Sequence, residues 1–396
     1  MNRALSYAAP LFAVLALAAC NAGGTSNTPA SAGQSVSQSH QTPQWQLHHT
    51  AVAACPGARV NGFMQCDALI STSNRPNMKP DVAGLAPIDF QTRYNLPSGT
   101  KGSGTIVAIV DAFDNPNVTS DLAMYRSNFG LGTANFTKYN QTGQIGNYPQ
   151  GSPGWGVEID LDVEMVSAVC PKCTIYLIEA NDNSTNNLYS AEAEAVSLGA
   201  HIISNSYSGC CSASGGSFDH PGVTYLASAG DSGYGIGDPA DYDNVVSVGG
   251  TVLSKSGSPP TYTEGTWPDT GGGCSEVTKP SWQHDTGCSF RTSNDVSAVA
   301  QGVAEYDSYS EPGWFTVGGT SVSSPMLGGV FGLTKNYTKQ HGGENFWKQK
   351  AKKYAKDLHD ITTGADGSCG GSYLCKAAVG YDGPTGWGTP NGTKAF

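Results

Sequence analysis

From about residue 96 to its end the chain repeats one pattern, a short apolar run followed by a stretch of helical periodicity. Residues 105–110 (TIVAIV) have no polar alternation, so as a strand they need cover on both faces. Similar runs occur at 174–180, 201–207, 223–229 and 245–250, with helical patterns at 118–129, 186–199 and 322–338. Strands alternating with helices predict an α/β fold, with a mostly parallel central sheet flanked by helices on both faces. In such sheets functional residues collect just beyond the carboxyl ends of the strands. At 396 residues the chain is long enough for one large domain of this kind plus extras.

The N-terminal quarter has a different character. Residues 1–19 read as a signal peptide, with Arg3 ahead of an apolar run that ends Leu17-Ala18-Ala19-Cys20. A small-residue cleavage site followed by cysteine resembles a bacterial lipobox, which makes Cys20 the expected lipidation site and membrane anchor. The bland reading is an ordinary secretory signal with an incidental cysteine. Either reading puts the chain outside the cytoplasm. Residues 20–45, rich in Gly, Ser, Thr, Asn, Gln and Pro, read as a flexible tether. Residues 46–95 form a short cysteine-bearing leader or reduced prosegment, and 96–396 the main domain.

Eleven cysteines, less Cys20, leave ten for an oxidising compartment. Nearness in sequence suggests Cys55 with Cys66, Cys170 with Cys173, Cys274 with Cys288 and Cys369 with Cys375. Cys210 and Cys211 then form a strained vicinal pair or cross-link elsewhere. A zinc reading of Cys170-Pro-Lys-Cys173 lacks a second ligand pair at suitable spacing. The formal charge of −11 argues against a nucleic-acid partner, because phosphate binding wants clustered Lys and Arg. Charged residues make up only 13%, against roughly 25% for an average domain. Few carboxylates means fewer groups whose protonation unfolds a protein in acid.

Chemistry concentrates in three segments. Gly318-Gly319-Thr320-Ser321-Val322-Ser323-Ser324-Pro325 sets Ser321 at a helix start, with Pro325 suited to the first turn. A serine held there is an exposed nucleophile candidate, and equally an ordinary capped helix end. None of the eight histidines has a recognisable catalytic setting, so a base must be sought among carboxylates. Residues 155–165 (WGVEIDLDVEM) alternate as a strand with four acids on one face. In a strand Glu158 and Asp162 stand about 13 Å apart, whereas in a helix they are neighbours. A catalytic pair therefore requires a helix against the local period; the alternative is a solvated acidic face. The third segment, Ala229-Gly230-Asp231-Ser232-Gly233, follows an apolar run and suits either a turn or an acid aimed into a cleft.

Together these segments resemble the sedolisin (serine-carboxyl peptidase) family, whose catalytic domain is subtilisin-like, from about Pro87 to the C-terminus. The Glu-x-x-x-Asp pair, the Ala-Gly-Asp-Ser-Gly turn and the Gly-Thr-Ser element stand in the family's order. The resemblance implies Ser321 as nucleophile of an endopeptidase, Glu158 as general base and later acid, Asp162 as its partner, and Asp231 at the oxyanion position. It implies that Asp111 and Tyr207 extend this network, although Asp111 also reads as a strand-end turn residue. It further implies one structural Ca²⁺ held by Asp360, Asp382 and the carbonyls of Ile361, Ala378 and Gly380, an all-oxygen set of the kind Ca²⁺ prefers. The expected partners are protein or peptide substrates of a monomeric enzyme.

A glutamate base has an ordinary pKa near 4.3, and an aspartate at the oxyanion position must carry a proton to donate, so activity is expected in acid. Two other readings remain: a catalytically silent peptide-binding lipoprotein, and a Ser-His-Asp peptidase using Asp111. The leader departs from the family, whose zymogens carry a large folded prosegment.

Overall fold

The structure is a computed structural model that describes residues 42–72, 84–209, 215–348, 354 and 356–396. The signal peptide, Cys20, and the pair Cys210 and Cys211 lie outside the described residues.

The first elements are α1 (Gln44–Leu47), β1 (Ala51–Ala53), β2 (Gln65–Cys66), β3 (Leu69–Ser71) and α2 (Pro87–Arg93). The α/β body follows with β4 (Ile106–Ala112), α3 (Val118–Asn128), β5 (Asn135–Asn140), α4 (Pro153–Val169), β6 (Thr174–Ala180), α5 (Thr185–Ser197), β7 (Ile202–Asn205), β8 (Tyr207–Ser208) and β9 (Thr224–Ser228). Then come β10 (Val245–Ser256), β11 (Thr261–Thr266), β12 (Gly273–Thr278), β13 (Phe290–Ser293), β14 (Val296–Val299), β15 (Gln301–Asp307), β16 (Gly313–Gly318) and α6 (Thr320–Gly332).

The central sheet runs β11-β10-β9-β7-β4-β6-β5, with β14 also paired to β10. Only the β10–β11 hairpin is antiparallel; the other pairings in this sheet are parallel. Val107, Ala108, Ile109 and Val110 of β4 are all fully buried, as a strand covered on both faces requires. The five expected strands and three expected helices all form, with ends within a few residues of expectation except that β10 runs on to Ser256 and α6 stops at Gly332. Absent from the expectation were the polar edge strand β5, the parallel strand β14 and the antiparallel strands β11, β12, β13, β15 and β16. The disulfides Cys55–Cys66, Cys170–Cys173, Cys274–Cys288 and Cys369–Cys375 are present.

The leader is built into the body. A second sheet runs β1-β3-β16-β15, so leader strands flank the strand that delivers Ser321. Gln44 and Trp45, expected in the tether, instead belong to α1. Their amides donate to the Asp269 carboxylate, Trp45 at 3.2 Å. The Trp45 indole also donates to the Asp231 carbonyl at 2.9 Å.

Candidate active site

Residues 153–169 form a helix, and its burial explains why the local alternation misleads. Every residue of α4 from Trp155 to Val169 is buried, so polar positions are set by partners on several sides rather than by water. Residues four apart share a helix face and residues two apart point nearly opposite ways. The four acids therefore divide into two pairs, Glu158 with Asp162 and Asp160 with Glu164. The first pair faces α6 and the second faces α3 and β15.

Ser321 is the second residue of α6, reached from β16 through Gly319 at φ +114°. Its Oγ donates to Glu158 Oε2 at 2.9 Å and lies 3.4 Å from the Ser206 carbonyl oxygen. Pro325 is not in the first turn as expected but inside the helix. A proline there cannot donate to the carbonyl four residues back, which is that of Ser321. The Ser206 hydroxyl donates to this freed carbonyl at 3.4 Å. The proline thus ties the Ser321 backbone to the segment leading into β8.

Burial raises the Glu158 pKa well above the usual carboxylate range, the neighbouring Asp162 and Asp111 push the same way, and the Ser321 hydrogen bond opposes them. Asp162 is likewise raised by burial and by Asp111. Neither Asp162 oxygen has a hydrogen bond of good geometry, although Ser206 and Glu158 lie close enough to favour its charged form. Asp111, at the end of β4, is fully buried with both oxygens unpartnered, and burial pushes it up to about 8. Its charge acts on both Glu158 and Asp162, so the three carboxyls titrate as one set. Tyr207 adjoins that set through Asp111, whose charge adds to burial in raising its pKa, and its hydroxyl donates to Asn205 at 2.8 Å and to Glu192 at 3.3 Å.

Asp231 follows β9 on the Gly230 turn and closes the site from the other side. Its Oδ1 accepts from the Thr320 amide and hydroxyl, both at 2.8 Å. Its Oδ2 is buried without a partner. Burial and the nearby Asp67 raise its pKa well above the usual range, against those Thr320 hydrogen bonds. A proton on Oδ2 gives this atom something to donate, and the first-turn amide of Ser321 supplies a second donor at the same helix end.

The second acid pair of α4 lies elsewhere. One carboxylate oxygen each from Asp121, Asp160 and Asp307 lie within 4.8 Å of one another, and the fully buried Glu164 and Glu305 adjoin them. The calcium candidates also come together: Gly380 N donates to Asp360 at 3.0 Å and Ala378 N to Asp382 at 2.8 Å, while Ile361 is buried next to Asp360. Burial pushes Asp382 up to about 7, and the Asp360 charge adds to this.

No described histidine shares a hydrogen bond with Ser321. His201 pairs with the Gly222 carbonyl, His220 with the Tyr225 hydroxyl and His359 with the Arg93 carbonyl, so the Ser-His-Asp reading has no base among the described residues. Residues that sequence reasoning missed are Ser206, Thr320 and, from the leader, Asp67. Thr320 sat inside the Gly-Thr-Ser element and its β-hydroxyl was the available signal. Asp67 carried none.

A parallel sheet with a serine at the start of a buried helix and acids beyond the strand ends defines a subtilisin-like protein. Residues 132–370 match the sequence model of the Subtilase family. The chain belongs to that family, in its sedolisin branch. It is 26% identical to sedolisin of Pseudomonas sp. (strain 101), over 81% of this chain and 63% of the relative. It is 27% identical to kumamolisin of Bacillus sp. (strain MN-32), over 78% of this chain and 62% of the relative. The chain thus spans less than two thirds of the length of these relatives. Among solved structures, Pseudomonas sedolisin (serine-carboxyl proteinase), complexed with two molecules of pseudo-iodotyrostatin, superposes with a TM-score of 0.67 at 26% identity, covering 78% of this chain and 96% of that one. No helix of the described residues is long and apolar enough to cross a membrane.

Proposed function

We propose that the chain is an acid-active serine-carboxyl endopeptidase, and the observation that carries this reading is the hydrogen bond from Ser321 Oγ to Glu158 Oε2. Ser321 attacks a peptide carbonyl and Glu158, ionised within its coupled set, takes the proton. Burial and the neighbouring Asp162 raise Glu158 and so strengthen it as a base. The protonated Glu158 then delivers its proton to the departing amine, and water repeats the sequence on the acyl-enzyme. Asp231, neutral through burial, donates from Oδ2 to the developing oxyanion. Ionised, it repels that charge. Substrates are proteins or peptides, the enzyme works as a monomer outside the cytoplasm, and a lipid on Cys20 holds it to a bacterial membrane.

The test is digestion of a denatured protein by the full chain across pH 2.5–8. Cleavage is expected in acid, falling as pH rises and Asp231 loses its proton. Asp231→Asn, a neutral donor at any pH, should lower the rate yet move this falling limb to higher pH. A rate unchanged between pH 4 and 8 would rule the mechanism out.

A structural Ca²⁺ fits the C-terminal loop. Asp360 and Asp382 repel each other across a loop tied to both by main-chain amides, and the donor set is oxygen throughout. Asp360, Asp382 and the carbonyls of Ile361, Ala378 and Gly380 would hold the ion, whose charge would offset the repulsion between the two carboxylates. Chelator is therefore expected to lower the melting temperature, and Ca²⁺ at about 100 times its Kd to restore about 3 kcal/mol. Identical melting curves with chelator and with added Ca²⁺ would remove the ion from the proposal.

A further inference from the structure

The leader crosses the candidate site in a defined register. On one side β2 pairs antiparallel with β8, Gln65 opposite Ser208 and Cys66 opposite Tyr207. On the other, β3 pairs antiparallel with β16, Leu69 opposite Gly318. The chain between is Asp67-Ala68. The Asp67 amide donates at 3.2 Å to the Ser206 carbonyl oxygen, the same atom that lies 3.4 Å from Ser321 Oγ. The Asp67 carbonyl oxygen sits over Gly319: a methyl group there would fall 2.0 Å from it and 2.6 Å from the unpartnered Asp231 Oδ2. An extended segment paired to a strand edge is how a sheet takes a peptide. Here the carbonyl of that segment is turned to the nucleophile's helix end and to the orphan carboxyl oxygen.

The Asp67 side chain fills a built pocket and is only 4% exposed. Ser208 Oγ donates to its Oδ1 at 2.6 Å and Ser228 Oγ to its Oδ2 at 2.8 Å. Arg59 of the leader donates to Ser208 Oγ at 2.8 Å and lies 3.7 Å from Asp67 Oδ1. Both serines belong to the main domain, at β8 and at the end of β9, so they remain to receive another chain's side chain. Burial raises the Asp67 pKa above its ordinary value, against Arg59 and the hydrogen bonds from Ser208 and Ser228.

We propose that Asp67–Ala68 is the bond this protein cuts in its own chain, and that the Ser208–Ser228 pocket selects an aspartyl side chain on the acyl side of the bond cut. The proposal rests on the peptidase reading above. Ser321 Oγ adds to the Asp67 carbonyl carbon as its proton passes to Glu158. The Asp67–Ala68 C–N bond then breaks and the Ala68 nitrogen takes that proton. Water adds to the resulting Asp67–Ser321 ester, again through Glu158, and releases Ser321. One water is consumed, leaving a carboxyl on Asp67 and an amine on Ala68. The Cys55–Cys66 disulfide lies wholly on the released side, so the cut frees a closed segment.

The test follows the full chain in acid by intact mass and N-terminal sequencing, for the parent, Ser321→Ala and Asp67→Ala. Expected are a new N-terminus at Ala68 in the parent, none in Ser321→Ala, and release from Asp67→Ala slowed about tenfold or more, because two buried hydroxyls lose their partner. A nine-residue peptide copying residues 63–71, with serine for Cys66, is offered in parallel with aspartate or alanine at the cut position. The aspartyl peptide should have the higher kcat/KM by a similar factor, which keeps the result independent of how Asp67→Ala folds. A parent that digests denatured protein but leaves Asp67–Ala68 whole, or shows no preference for the aspartyl peptide, overturns this proposal and leaves the peptidase reading standing. A parent that digests nothing at any pH overturns both.

Discussion

Ser321→Ala and Glu158→Gln are each expected to lower peptide-bond cleavage by about 10⁴- to 10⁶-fold, without unfolding the protein. Alanine removes the attacking oxygen and leaves only the stabilisation supplied by the remaining donors. Glutamine keeps a polar group of the same shape against Ser321 Oγ but cannot take its proton, so it separates base from hydrogen-bond partner. Because the two act as one unit, the double variant should be little worse than either single one. The check is kcat/KM on a peptide in acid, beside circular dichroism of each variant. A Glu158→Gln variant retaining a tenth of parent activity would show that another group takes the proton.

Asp162→Asn should be milder, and the reason lies in the geometry. Asp162 does not touch Ser321; it acts through Glu158, whose pKa it raises. Removing its charge makes Glu158 a weaker base that ionises at lower pH, so the acid limb of the pH profile moves down as the rate falls. A group that merely packed there would lower the rate without moving that limb.

How far the sequence could be read follows from which contacts are local. The runs at 105–110 and 174–180 were legible as buried strands because a parallel strand between two helical layers must be apolar throughout. Asp231 was legible as a strand-end acid, because the turn at Gly230 leaves its signature in the neighbouring glycine. Residues 155–165 pointed the wrong way, since a helix buried on all sides does not carry the amphipathic period of a surface helix. What separated Glu158 from Asp160 was the partner each meets, Ser321 for one and Asn115 for the other, and both partners are more than 40 residues away. Pro325 was placed in the first turn by its usual preference, but the Ser206 hydroxyl takes the carbonyl it frees, so the helix keeps it. Asp67 was invisible for a similar reason. Its neighbours Cys66 and Ala68 say nothing of Ser208 and Ser228, 141 and 161 residues further on.

The buried acids also make a large stability effect, opposite in sign to that of most proteins. Melting temperature is expected to be highest in acid and to fall by roughly 10 °C or more between pH 4 and 8. Burial pushes Asp111 up to about 8 and Glu179 up to about 9, Lys138 opposing the latter, and burial raises Asp160, Glu164 and Glu305 well above their ordinary values. Below the pKa of the unfolded chain both states hold the proton, and nothing is lost. Above it the unfolded state ionises while the folded state keeps its protons, so the unfolded state binds fewer and stability declines until pH passes the folded value. For Asp111 the window opens near 4 and closes near 8. At pH 7 its share of the loss is on the order of 4 kcal/mol. Asp111→Asn removes that titration at nearly the same shape, so its melting temperature should decline less steeply with pH than the parent's and exceed it near neutrality. A parent whose melting temperature holds level or rises between pH 4 and 8 would mean that these carboxyls are ionised in the folded protein, with counter-charges supplied from elsewhere.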